Sequence, residues 1–163
     1  MGKSLHTFSR GLAIAGLAAG LAASSAYAEG VFSPFEGAWR GAGRIWDVNG
    51  RTEPLSCRSS LNPSSDGIAM SLALVCASDS YRVDFHAELY TDGQSLRGTW
   101  SETTRNASGE VKGEIRPDVI QALTTAPGFS ANIVIHVVNG KRLDVALSAQ
   151  GTSINRVQVS MKR

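Results

Sequence analysis

The chain has 163 residues, of which 42% are hydrophobic, 18% charged and 7% aromatic, with 16 basic residues, 14 acidic residues and two cysteines. That is enough for one domain with its own core and too little for two ordinary ones. A low charged fraction with near-average apolar content excludes a disordered chain, and two cysteines exclude a zinc finger or a disulfide-rich miniature scaffold.

Residues 1–28 read as a cleaved signal peptide. Lys3 and Arg10 form a basic start, Leu12 to Ala23 a short apolar run, and Ala26-Tyr27-Ala28 a small-x-small site with cleavage before Glu29. The apolar run is shorter than the ~18 residues of a membrane-spanning helix, so no membrane span is expected in the mature chain. No cysteine follows the run to carry a lipid anchor. Removing Lys3 and Arg10 leaves 14 basic residues against 14 acidic ones. A net charge near zero gives no electrostatic case for nucleic acid or anionic membranes as partners. The short, alanine-rich leader points to a bacterial periplasm or to secretion. In that setting Cys57 and Cys76 are expected to form one disulfide.

Residues 29–36 (EGVFSPFE) are expected to form an N-terminal arm, and residues 37–163 a β-domain. From there the dominant period is two. Trp39, Gly41, Gly43 and Ile45 share one face of the first strand, and Asn49-Gly50 marks a hairpin turn. Leu55 and Cys57 follow, then a polar loop over 59–67. Ile68, Met70, Leu72, Leu74 and Cys76 alternate with small residues. Tyr81, Val83, Phe85, Ala87 and Leu89 alternate with Arg82, Asp84, His86 and Glu88, and Asp92-Gly93 turns the chain. Leu96, Gly98 and Trp100, then Val111, Gly113 and Ile115, form the next two apolar faces. Residues 118–125 read either as one or two helical turns, with Pro117 before them and Asp118 as N-cap, or as a further strand. Ile133, Ile135 and Val137 lead to Asn139-Gly140, the strongest hairpin signal in the chain. Leu143, Val145 and Leu147, then Val157, Val159 and Met161, complete the pattern.

Eight or nine strands with short connections pair with their sequence neighbours. A sheet of that size exposes an apolar face unless it closes. The expectation is an all-β, antiparallel up-and-down barrel of about eight strands, with a two-layer sandwich as the competitor. Inward glycines at Gly41, Gly43, Gly98 and Gly113 favour the barrel, because glycine permits the bends and close approaches that closure needs.

The segment Phe35-x-Gly37-x-Trp39-x-Gly41-x-Gly43 resembles the opening strand of the lipocalin-like (calycin) barrels. That resemblance implies that Trp39 closes one end of the barrel, that a late Arg or Lys, here Arg156 or Lys162, packs over it, and that a small apolar molecule is held in the mouth. The chain is also similar to the small periplasmic inhibitors of bacterial metalloproteases. That likeness implies an extended arm over residues 29–36 that docks a protein partner.

Chemistry for catalysis is sparse. His86 and His136 fall on outward faces without a nucleophile motif, and no ligand spacing for a metal occurs. Glu110 with Glu114, and Asp84 with Glu88, are better read as cross-strand charge pairs than as acid–base pairs. The expected function is therefore non-enzymatic, without cofactor or metal: binding of a small apolar ligand in a cavity lined by Trp39, Phe85, Trp100, Ile115 and Ile135. The alternative is a protease inhibitor or other protein-interaction module without a ligand cavity.

Overall fold

A computed structural model describes Gly2 and residues 30–163; the leader and its cleavage site lie outside the described residues. Ten antiparallel strands follow one another: β1 (Gly37–Asp47), β2 (Thr52–Pro63), β3 (Ala69–Ala77), β4 (Arg82–Thr91), β5 (Ser95–Glu102), β6 (Ala107–Arg116), β7 (Val119–Ala126), β8 (Phe129–Val138), β9 (Arg142–Gln150) and β10 (Ile154–Lys162). Each pairs with its neighbour in sequence, and β1 pairs with β10 to close the barrel. The up-and-down barrel is thus the architecture, with ten strands rather than about eight. Closure leaves no edge strand exposed.

Two segments account for the difference. The polar stretch after Cys57 does not loop out. β2 runs on to Pro63, with Ser59 buried opposite Leu74 and Leu61 opposite Leu72. Residues 119–126 form β7, the second of the two readings open for this segment. Pro117-Asp118 is the two-residue turn of a hairpin in which Arg116 pairs with Val119. Proline presets a φ that suits the first turn of a helix and the second position of a β-turn equally. The next hairpin turns on Pro127-Gly128, where Gly128 takes φ 73°. Asn139 and Gly140, at φ 52° and 64°, form the left-handed pair that the Asn-Gly signal implies.

The inward glycines work as expected. A Cβ on Gly41 would collide with the Ser160 carbonyl, and one on Gly43 with the Gln158 carbonyl. These glycines let β1 lie close against β10 at the seam.

One end of the barrel is sealed. Residues 30–36 do not run extended, as a protein-docking arm would; they turn and form a short 3-10 helix at Ser33–Phe35. Phe32, Phe35 and Trp39 are fully buried, packed in one core with Leu61, Met70 and Met161. The Trp39 indole Nε1 donates to the Phe35 carbonyl at 3.0 Å. The late basic residue over Trp39 is neither Arg156 nor Lys162. It is Arg163, whose guanidinium carbon lies 4.5 Å from the ring centre while Nη2 donates to the Pro34 carbonyl at 2.9 Å. Arg156 instead stacks on Trp46, at 4.1 Å. Lys162 falls on the outward face of β10.

Cys57 and Cys76 are direct cross-strand partners on β2 and β3 and form a disulfide, S–S 2.07 Å, on the buried face of the wall. Bonds of this kind persist in oxidising compartments.

A candidate ligand cavity at the open end

Inward residues do not stay equally buried along the barrel. Near the plug, Ile115, Ile120 and Leu143 are about 1% exposed. Toward the other end, Leu74, Val83, Phe85, Phe129, Ile133 and Val145 share the inward parity and are only partly buried. They surround a cavity of about 290 Å³. That is close to the lower bound of roughly 300 Å³ for small-molecule sites.

Aromatic rings form one side of it. Phe85 and Trp100 stack with centroids 5.7 Å apart, and Phe129 leans on Trp100 at 5.4 Å. The Trp100 indole Nε1 donates to the Thr125 carbonyl at 3.3 Å, which fixes its tilt. Opposite Trp100 on β6 stands Gly109, and a Cβ there would come within 2.9 Å of that indole nitrogen. Glycine at this position is what lets the indole lie against the wall.

Of the five residues expected to line a cavity, the structure brings Phe85 and Trp100 to it. Trp39, Ile115 and Ile135 are buried with the same parity but are not part of the lining. Periodicity fixes which way a residue points, not how far along the barrel axis the packing stops. Sequence reasoning missed Phe129, whose signal was the Pro127-Gly128 turn just before it, and the polar pair Glu102 and Arg105.

Glu102 ends β5 at an inward position, and Arg105 lies in the loop that follows. Three donors reach Glu102 Oε1: the Asp84 and Thr104 backbone N–H groups at 2.9 and 3.1 Å, and the Thr104 hydroxyl at 2.6 Å. Oε2 accepts from the Arg105 backbone N–H at 2.9 Å and from Arg105 Nη1 at 3.4 Å. Burial pushes this carboxyl up, but the hydrogen bonds outweigh burial and hold its pKa below the ordinary glutamate value. Thr124, also on the lining, donates its hydroxyl to the Ala131 carbonyl. The polar side chains Glu102 and Thr124 are thus already satisfied by the protein.

His86 and His136 stand on the outer wall, half exposed. His86 Nε2 is 3.1 Å from Asp84 and His136 Nε2 3.4 Å from Asp118. Glu110 pairs with Lys112 and Glu114 with Arg116 along their own strand, rather than across strands. A wider depression of about 640 Å³ on the outer wall, beside Arg44 and Trp46, is open to solvent. It lacks the enclosing apolar walls of the barrel cavity. Among the described residues no helix is long and apolar enough to cross a membrane.

No protein-family model matches the chain, and no curated protein does. Among solved structures, the barrel is similar to an S-type phycobiliprotein lyase, CPES, from Guillardia theta. The TM-score is 0.56 at 13% identity, over 80% of this chain and 88% of that one. A redesigned β-barrel, mFAP1, bound to DFHBI gives 0.48 at 7% identity, over 80% and 95%. A de novo designed fluorescence-activating β-barrel gives 0.45 at 10%, over 79% and 93%. At 13% identity the likeness to the lyase is one of fold.

Proposed function

We propose that the protein is an exported, non-enzymatic carrier that holds a small, largely apolar molecule in the open end of its barrel. The observation that carries this reading is the cavity of about 290 Å³ bounded by Phe85, Trp100, Phe129 and aliphatic side chains. A barrel packed solid at one end and hollow at the other has the concave, apolar form of a small-molecule site. The alternative, an N-terminal arm that docks a protein partner, gains no support from a segment whose two phenylalanines are fully buried. Export to an oxidising compartment such as the periplasm accords with the Cys57–Cys76 disulfide.

Binding of an apolar fluorescent probe, read through tryptophan emission, tests the function. Trp100→Ala is expected to weaken probe binding at least several-fold, and Arg97→Ala, on the outward face of β5, to leave it unchanged. Native mass spectrometry of protein taken from its own compartment adds the ligand's mass. A clean apo mass together with no probe binding would sink the reading. The mature form is expected to begin at Glu29, and amino-terminal sequencing of exported protein that found Met1 would contradict the leader assignment.

A further inference from the structure

We propose that Arg105 is the anion anchor of the cavity, so that the ligand is amphipathic: an apolar body ending in a carboxylate, sulfonate or phosphate group. This rests on the carrier reading above and narrows it. Among the described residues that line the cavity, Arg105 is the only cation and Glu102 the only anion. Glu102 is spent, since five donors converge on its two oxygens. Arg105 is not. Among the described residues, its side-chain hydrogen bonds all leave from Nη1: to the Arg82 carbonyl at 3.1 Å, the Thr104 hydroxyl at 3.1 Å and Glu102 Oε2 at 3.4 Å.

Those bonds fix the guanidinium from one side. Nε and Nη2 make none, and together they are the side-on fork that takes an oxyanion through two parallel hydrogen bonds. The side chain is 42% exposed, so a headgroup can reach it from solvent. The loop that carries it is held by the same carboxylate: Glu102 accepts from the backbone N–H groups of both Thr104 and Arg105. Glu102 is therefore a positioning residue, which orients the fork instead of meeting the ligand. A headgroup at the rim leaves the tail pointing down past Phe85, Trp100 and Phe129. The volume of about 290 Å³, at roughly 30 Å³ per water-sized group, admits about ten non-hydrogen atoms.

Decanoate, decanesulfonate and 1-decanol separate the claims by titration calorimetry at neutral pH. The native protein is expected to bind both anions at least tenfold more tightly than the alcohol. Arg105→Gln should bring the three within about threefold of one another. Arg105→Lys keeps the charge and loses the fork, and should fall between. Arg97→Gln, a charge removed from the outer wall, should leave the preference as it was. Equal binding of alcohol and anions by the native protein would overturn the anchor and leave the carrier reading standing. Binding of none of the three would remove the carrier reading and the anchor with it. The native comparison needs no variant, so it can overturn the anchor even if Arg105→Gln fails to fold.

Discussion

Glu102 sits where a carboxylate is costly: 6% exposed, at the end of a strand, beside an apolar cavity. Ionised, it ties together β4 through Asp84 and the β5–β6 loop through Thr104 and Arg105. Its pKa in the fold lies below the ordinary value. The stability it contributes is therefore fully present above the unfolded-state pKa of about 4.3, and is lost as pH falls through the lower folded-state value. Glu102→Gln replaces one accepting oxygen by an NH2 that faces donors. It is expected to cost about 1.5–3 kcal/mol at pH 7, a difference that shrinks as the pH is taken below about 4. Urea midpoints of the two proteins across pH 3–7 measure this, and a difference independent of pH would contradict it. In the sequence, Glu102 reads only as the end of the alternation Leu96, Gly98, Trp100. Its inward parity follows from the period of two, but the convergence of five donors from Asp84, Thr104 and Arg105 on it depends on the loop's folded path, which no spacing encodes.

At the level of strands, period-two alternation was enough to place most of the wall. It left β7 open between helix and strand and took the second half of β2 for a loop. β7 points Ile120, Ala122 and Thr124 inward and Leu123 outward, so its apolar pattern is blurred. β2 carries Ser59 inward, buried by its partner strands rather than by its own hydrophobicity. Inward parity did place both cysteines on facing strands, and register makes them direct partners. The bridge spans 19 residues of sequence, for which the chain-entropy model gives roughly 3 kcal/mol. Paired Cys57→Ala and Cys76→Ala substitutions are expected to lower stability by about that amount. Guanidinium denaturation of the oxidised protein against the double variant provides the comparison. Equal midpoints would show that the unfolded chain gains nothing from losing the cross-link.

The whole molecule is a barrel with two unlike halves. The plug, Trp39 and the Arg163 lid make one half a packed core, while the same inward parity at the other end surrounds space. Two alanines distinguish the halves in a single experiment. Ala87 is inward on β4, 5% exposed, and its cross-strand partners are Leu72 and Trp100. Ala149 is inward on β9 and lines the cavity. In a close-packed interior, three added carbon atoms force neighbours off their rotamers, at about 1–3 kcal/mol. Ala87→Leu is expected to incur that cost. Ala149→Leu extends into the cavity, so its new methyl groups gain contacts with the lining without forcing neighbouring side chains aside. Its stability should be unchanged or higher, while affinity for an apolar probe falls because the ligand has lost that space. Thermal melts and probe titrations of the two variants read both quantities. If Ala149→Leu were as destabilising as Ala87→Leu and left probe affinity intact, the space at the open end would not be available to a ligand in solution.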